Sequence, residues 1–352
     1  MARKEQPGRS SNRRGPSRDA GRGPNRGPGR PVSEGRRRQR SEGARPADRE
    51  RTPRGGGERS GAVPRPAERR EPEGRGEERE RGRSTRREAR DLLHDVRAPN
   101  VDLLAGRNSV REALLAGRRR IYRLAVAEGA REAGTLEEIL TLAAERQIPV
   151  QRIPRADLDT MAEALAHQGV IAQASPYPYA EIDEALALAK TRSEDPLLLV
   201  LDSLEDPQNV GSLVRTAEAV GVHGVVVPRH RAAPITAAVS RASAGAVEHL
   251  LVAEVTNLAR ALELLKERGV WVVGIEDEAA AQDYRAIDLA MPLALVVGSE
   301  GSGMHRLVRE RCDLLARLPM RGQIGSLNVS AAGAVMLYRA LEAREAARRA
   351  AP

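Results

Sequence analysis

Apolar residues begin to recur at regular intervals near residue 92, and the first organised segment covers residues 100–178. Short apolar runs at Ile121–Ala127, Ile148–Ile153 and Val170–Ala174 predict three strands. Apolar positions three and four residues apart between the first two strands predict an amphipathic helix. Because strands alternate with helices, this pattern predicts a small α/β module. The stretch Ser175–Tyr179, which contains two prolines, predicts a linker after it.

From residue 195 to 346 the apolar runs are longer and contain no polar residue, which is typical of strands buried on both faces. Helical patterns separate them, for example at Leu258–Arg268, and a long Ala-rich helix is expected from about Ser330. The predicted strands are Leu197–Leu201, Val225–Val227, Trp271–Ile275 and Leu293–Val297. Together they predict a second α/β domain built on a parallel sheet.

The first hundred residues differ from these two modules in their charge. Residues 1–100 hold 29 Lys and Arg against 16 Asp and Glu and no aromatic residue, whereas the whole chain carries a net charge of only +9. Such a segment buries too little apolar surface to offset the entropy of ordering, so residues 1–95 are expected to form a disordered basic tail. Its Arg-Gly runs suit contact with RNA phosphates without sequence specificity, although a purely solubilising tail is the alternative.

Composition excludes several classes of protein. The single cysteine, Cys312, permits no internal disulfide and agrees with a reducing cytoplasm, where we expect the protein to act. No apolar stretch is long enough for a membrane span, and none follows the first basic residues as in a secretory signal. The histidines lack metal-ligand spacing, so no metal site is expected.

Three polar loops follow or adjoin predicted strands, and ligands of parallel sheets bind beyond the carboxyl ends of the strands. The first loop, residues 202–216, leads into a predicted helix from Asn209 to about Val220, and Asn209 is placed to cap that helix. Arg215 lies about 200° around the helix from the apolar Leu213, so it is expected to point away from the core. An arginine at such a position is either functional or simply solvated.

The second loop, residues 296–303, is a glycine-rich turn with Glu300 at its centre. A carboxylate there repels phosphate, which disfavours a nucleotide-triphosphate enzyme and favours a ligand with hydroxyl or cationic groups. In the third loop, residues 318–330, an extended chain would present Ser326, Asn328 and Ser330 to one side. The alternative is that Asn328 or Ser330 caps the last helix.

Together and in this order, the three loops resemble the three motifs of the SpoU/TrmH family of RNA ribose methyltransferases, within the SPOUT superfamily. The matching segments are residues 206–216, residues 297–303, and residues 318–320 with 325–332. Residues 104–114 are similar to the opening of the small RNA-binding domain that precedes the catalytic domain in many members. The combination most resembles the branch that methylates the ribose of a guanosine in 23S ribosomal RNA.

The resemblance implies S-adenosylmethionine as cofactor, a trefoil knot in the C-terminal part of the parallel sheet, and a homodimer whose partner chain completes each site. It implies cofactor-binding roles for Gly298, Leu318, Met320 and Leu327, and catalytic roles for Asn209, Arg215, Glu300, Ser326 and Asn328. The family assigns proton abstraction to the residue matching Arg215. A guanidinium is protonated at any physiological pH, so binding a phosphate and stabilising the developing alkoxide is the physically safer role.

Substrate choice is expected to rest on the small module, where Arg107 and Asn108 are candidates for contact with structured RNA; an exposed turn before a helix is the alternative reading of both. Two other functions stay open at this point. One is a transfer-RNA ribose methyltransferase of the same fold. The other is a non-catalytic RNA-binding factor for ribosome assembly, which would not need Asn209, Arg215 or Asn328, all of them present here.

Overall fold

A computed structural model of the chain describes residues 100–163, 165–278 and 280–350. The predicted disordered tail, residues 1–95, lies outside the described residues. Within the described part of the chain, none of the helices combines the length and the apolar character that crossing a membrane requires.

The small module contains a four-stranded sheet with the strand order β1-β4-β2-β3. Strand β4 pairs antiparallel with β1 and β2, whereas β2 and β3 are parallel. The strands are β1 (Asp102–Ala105), β2 (Ile121–Ala127), β3 (Val150–Ile153) and β4 (Val170–Ala174), and the helices are α1 (Arg107–Ala116), α2 (Thr135–Glu145) and α3 (Arg155–Ala162). Two apolar clusters, one on each face of the sheet, hold this module together.

The larger domain contains a seven-stranded sheet with the order β7-β6-β5-β10-β8-β11-β9, and all its strand pairs are parallel. Its strands are β5 (Leu197–Leu201), β6 (Gly224–Pro228), β7 (Val252–Val255), β8 (Trp271–Ile275), β9 (Gln282–Asp283), β10 (Leu293–Val297) and β11 (Leu314–Arg317). Its helices are α4 (Ile182–Thr191), α5 (Pro207–Ala219), α6 (Ala237–Ala242), α7 (Leu258–Glu267), α8 (Arg306–Arg309) and α9 (Val329–Ala350). The predicted parallel sheet is therefore confirmed.

The sheet is covered on both faces, as continuous apolar strands require. Alternate residues of each central strand enter opposite clusters, so Leu199 packs with α5 and α9 while Leu198 and Val200 pack with α4 and α7. Helix α4 therefore covers the large sheet, although it precedes residue 195. Where α5 crosses α6, a Cβ on Gly211 would lie 2.3 Å from that of Ala242, so only glycine permits this approach.

The register places the functional loops at one edge of the sheet. Val297, the last residue of β10, pairs with Leu201 at the end of β5 and with Ile275 at the end of β8. The carboxyl ends of these three neighbouring strands therefore lie side by side. The loops that follow them must meet at the same edge.

The structure corrects the predicted start of α5. Asp206, not Asn209, caps this helix: its carboxylate accepts hydrogen bonds from the backbone N–H groups of Gln208 at 3.1 Å and Asn209 at 3.2 Å. Pro207 then occupies the first helical position, where its missing N–H costs nothing. This earlier start leaves the side chain of Asn209 available for contacts outside the helix.

Candidate active site

The second and third loops enclose a cavity of about 510 Å³ at the carboxyl ends of β8 and β10. Seven of the residues predicted to act in the site line it: Gly298, Glu300, Leu318, Met320, Ser326, Leu327 and Asn328. We call this space the donor cavity. Asn209, from the first loop, instead lines a neighbouring cavity of about 430 Å³, here called the acceptor cavity. Glu300, Ser299 and Val329 line both, so the two cavities share a wall.

The glycines of the second loop have a steric role. A Cβ on Gly298 would lie 2.4 Å from the carbonyl carbon of Gly303 and 2.4 Å from the backbone nitrogen of Met304, so the chain returns to within contact of its own backbone. Ser299 and Gly303 exchange backbone hydrogen bonds of 3.0 Å in each direction. Gly303 has a φ of +65°, which glycine adopts without strain. The turn therefore holds Glu300 at its tip.

One side chain ties the three loops together. The amide nitrogen of Asn328 donates to Glu300 Oε1 at 2.6 Å and to Asn209 Oδ1 at 3.0 Å. Its oxygen accepts from the backbone N–H groups of Ser330 at 3.0 Å and Ala331 at 3.3 Å, so Asn328 also caps α9. Asn328 and Ser330 were both candidates to cap the last helix, and Asn328 is the residue that does so. Ser330 lies inside the helix, so Ser326, Asn328 and Ser330 do not form an extended row.

The lining of the donor cavity combines acidic and apolar residues. Glu276 and Asp277 follow β8 and line it together with Glu300, and no described residue in its wall is basic. Leu327, which also lines the cavity, has 45% of its surface exposed. Such a cavity favours a ligand that combines positive charge with a flat apolar group. Sequence reasoning missed Glu276 and Asp277, although their position directly after a buried strand was a usable signal.

The acceptor cavity contains an oriented imidazole. Asp202, almost fully buried, accepts from the backbone N–H of His305 at 2.7 Å, and the Asp202 carboxylate lies 3.1 Å from His305 Nδ1. Arg231 also lines this cavity. None of these three residues was predicted to act in the site, although Asp202 begins the first loop and His305 lies two residues after the second.

The structure places three predicted residues away from both cavities. Arg215 is exposed on α5 and lines neither cavity, and its side chain makes no hydrogen bond or ion pair with another described residue. Arg107 bonds Gln168 through its backbone N–H at 3.1 Å and its Nε at 3.2 Å. Asn108 is exposed beside it. The Asn108 backbone carbonyl lies close to Gly245 of the large domain, where an added Cβ would be 3.0 Å from it. Their functional roles stay predictions.

Cys312 lines neither the donor nor the acceptor cavity. Burial raises the pKa of its thiol to about 12, so the thiol stays protonated. A protonated thiol is a poor nucleophile, and the site chemistry does not use it. Among the residues the structure describes, no cluster of His, Cys, Asp and Glu has the geometry to bind a metal ion.

Comparison with known proteins identifies both halves of the described chain. Residues 196–338 match the SpoU rRNA Methylase family, and residues 103–180 match the RNA 2′-O ribose methyltransferase substrate binding domain. A Bacillus subtilis protein assigned to the TrmH family of tRNA/rRNA methyltransferases is 49% identical over 243 residues, which cover 69% of this chain and 96% of the relative.

Two solved structures extend the comparison. One, an RNA 2′-O ribose methyltransferase, is 26% identical with a TM-score of 0.59, and the match covers 74% of this chain and 96% of the other. The SpoU methyltransferase AviRb from Streptomyces viridochromogenes, solved in complex with AdoMet, shares the fold at 23% identity and a TM-score of 0.59; that match covers 70% of this chain and 92% of AviRb.

Proposed function

The chain belongs to the SpoU/TrmH family of RNA 2′-O-ribose methyltransferases, and from that premise we propose that it methylates the ribose of a guanosine in 23S ribosomal RNA. One observation carries this proposal. Asn328 joins Glu300 and Asn209 at the wall shared by the donor and acceptor cavities, so a methyl donor and a ribose can be held on opposite sides of it.

The donor cavity fits S-adenosylmethionine, the cofactor of the family. The carboxylates of Glu276, Asp277 and Glu300 suit its sulfonium and ammonium groups. An adenine stacked against the exposed Leu327 would remove apolar surface from water, and Leu318 and Met320 extend that apolar wall. Gly298 lines the cavity with backbone atoms only.

When bound, this cofactor supplies a methyl group already activated for transfer to an oxygen nucleophile. The protein therefore has to align the ribose, exclude water and stabilise the oxygen as it loses its proton. We assign alignment to Asn209 and Glu300, which Asn328 holds in place. Ser326, in the donor wall, contributes to closing the loop around the cofactor.

We assign Arg215 to the site of a second copy of the chain. Since it faces solvent on α5 and lines neither cavity of its own chain, a role in catalysis requires a homodimer. In the partner's acceptor cavity its guanidinium would hold the phosphate next to the target ribose and offset the charge developing on the 2′-oxygen. We also propose the trefoil knot of the superfamily for the C-terminal part of the sheet.

The substrate-binding domain at residues 103–180 supports structured RNA as the substrate. We favour ribosomal RNA because this domain and the catalytic domain occur together, and the cytoplasm as the compartment, since that is where ribosomes assemble. Ribose methylation should be mapped in total RNA from cells with and without the gene. Loss of one 2′-O-methylguanosine from 23S RNA is the expected result; loss of a transfer-RNA modification would replace the ribosomal assignment.

A further inference from the structure

A third cavity, of about 570 Å³, lies between the small module and the large domain, and none of the three motifs lines it. We call it the cleft. Its walls are mainly apolar, and they are formed by the small module, the large domain and the linker between the two. They include Leu103 and Met161 from the small module, Ile235 and Thr236 from the large domain, and Tyr177 and Tyr179 from the linker.

Buried charges hold the two walls of the cleft together. The side chain of Arg119, only 2% exposed, donates to Asp102 at 2.6 Å and lies 3.6 Å from the buried Glu248 of the large domain. Arg118 donates to the Tyr177 hydroxyl at 3.2 Å and to the carbonyl of Pro178 at 3.2 Å. Separating the modules would break these contacts together, so the modules resist separation. The cleft is therefore formed before any ligand arrives.

The cleft holds an unusual share of the aromatic residues of this chain. The sequence has no Phe, one Trp and five Tyr, and two of those tyrosines line the cleft. Tyr177 is buried, with its hydroxyl donating to the carbonyl of Leu250 at 2.7 Å. Tyr179 keeps 39% of its surface exposed, although its ring packs edge-on to Tyr177 at 5.3 Å and its hydroxyl accepts from the Ile235 N–H at 3.1 Å. An exposed ring that is fixed at both ends suits stacking against an unpaired base.

The cleft and the acceptor cavity are connected through a single loop, residues 229–236 between β6 and α6. Arg231 of this loop lines the acceptor cavity, whereas Pro234, Ile235 and Thr236 line the cleft. Three residues of chain span at most about 10 Å, so the two spaces are within reach of neighbouring nucleotides. Arg231 makes no side-chain hydrogen bond or ion pair with another described residue, which leaves its guanidinium able to bind the intervening phosphate.

We propose that the cleft binds an unpaired base of the substrate RNA, close along the strand to the nucleotide that is methylated. This inference rests on the proposed function. The base stacks on Tyr179 between the apolar walls, and its backbone passes Arg231 into the acceptor cavity. A cleft held rigid in this way lowers the entropy cost of ordering a flexible strand. The small module then acts as one wall of the RNA site.

The test is the affinity of the full-length protein for an in vitro transcript of 23S RNA, measured by filter binding at a salt concentration that suppresses the basic tail. Tyr179→Ala is expected to weaken binding roughly 5- to 150-fold, the range for one lost base stack. Tyr179→Phe, which keeps the ring, and Trp271→Ala, which removes an exposed aromatic outside the cleft, should both stay within about twofold of wild type. Thr236→Trp, which fills the cleft from the other wall, should weaken binding as Tyr179→Ala does.

Affinity for S-adenosylmethionine, measured by calorimetry, should be unchanged in all four variants and serves as the check on folding. RNA binding by folded Tyr179→Ala and Thr236→Trp at wild-type strength would overturn the cleft assignment even if methyl transfer is observed. Conversely, RNA affinity that falls in Tyr179→Ala and Thr236→Trp, without any methyl transfer by the wild type, would support base binding in the cleft and contradict the proposed function. The two failures are therefore distinguishable.

Discussion

The side-chain amide of Asn328 donates a hydrogen bond of 2.6 Å to the carboxylate of Glu300. These residues are 28 positions apart and belong to different loops, so this contact fixes the turn after β10 against the start of α9. The same amide reaches Asn209 at 3.0 Å, which adds the first loop. The site is thus held by one side chain that also caps a helix.

Because Asn328 has two roles, a substitution can separate them. Asp is as good a helix cap as Asn, but its carboxylate cannot donate to Glu300 and would repel it. We expect Asn328→Asp to reduce kcat/KM by about 100-fold or more through misalignment of the loops. Its melting temperature should stay above that of Asn328→Ala, which loses the cap as well, at a cost of about 1 kcal/mol. Wild-type turnover in Asn328→Asp would show that the contact with Glu300 is dispensable.

Arg215→Ala should abolish methyl transfer and leave affinity for S-adenosylmethionine within about twofold of wild type, because Arg215 lines no part of the donor cavity. Arg260→Ala is the matched control, since Arg260 is also an exposed arginine on a helix of this domain. Undiminished turnover in Arg215→Ala would remove the assigned role.

The dimer proposal has its own test. Arg215→Ala and Glu300→Ala chains, each inactive alone, should regain about a quarter of wild-type activity when they are mixed and allowed to exchange. Half of the dimers are then mixed, and each mixed dimer contains one site with both residues intact only if Arg215 acts across the interface. Absence of any recovery after verified exchange would place Arg215 in the site of its own chain, or outside the site.

His223 makes stability depend on pH. It is almost fully buried, its Nδ1 accepts from the Leu197 backbone N–H at 3.0 Å, and its Nε2 faces Glu194 at 3.1 Å. Burial lowers the pKa of this imidazole, so on acidification the unfolded chain takes up the proton first. The free energy of unfolding should therefore fall as pH decreases below about 6.5, with a contribution of up to about 1.4 kcal/mol per pH unit.

His223→Gln keeps an acceptor for Leu197 but does not titrate, so its unfolding free energy should change less between pH 7 and pH 5 than that of wild type. Denaturant titrations at both pH values provide the comparison. Equal changes in the two proteins would mean that other groups account for the acid sensitivity.

Deletion of residues 1–90 should weaken RNA binding mainly at low salt. That segment carries the excess of positive charge, and contacts between arginine and phosphate weaken steeply as salt increases. Filter binding across a salt series should therefore give a shallower slope for the truncated chain than for the full chain. Coincident slopes would leave the basic tail without a role in binding RNA.

Most of the large sheet could be predicted from the sequence, because continuous apolar runs mark central strands. The predicted bounds of β5, β8 and β10 agree with the structure, and so do those of β2 and β4. Strands β7, β9 and β11 were not predicted. They contain two to four residues each and include polar ones, so they form only because a neighbouring strand pairs with them.

The candidate site was only partly predictable. Loops that follow strands of one parallel sheet must converge, which accounts for Gly298 and Glu300 after β10 and Asn209 after β5. Leu327 was expected in the site only because of the family resemblance, since β11, the strand before its loop, was not predicted. Two kinds of information were absent from the sequence. Asp206 and Asn209 are both suitable capping residues, and the apolar pattern does not decide which of them begins the helix. The pairing of Asp202 with His305 joins residues 103 positions apart, which no local pattern indicates.

We propose a reaction in which the two adjoining cavities bring a methyl donor and a ribose together. Its most direct test is incubation of the purified full-length protein with S-adenosylmethionine labelled in the methyl group and unmodified 23S RNA transcript. The RNA is then digested to nucleosides and analysed by mass spectrometry. We predict label in 2′-O-methylguanosine, and none with Asn328→Asp or Arg215→Ala. Label on a base, or no label in RNA that the protein demonstrably binds, would contradict ribose methylation at this site.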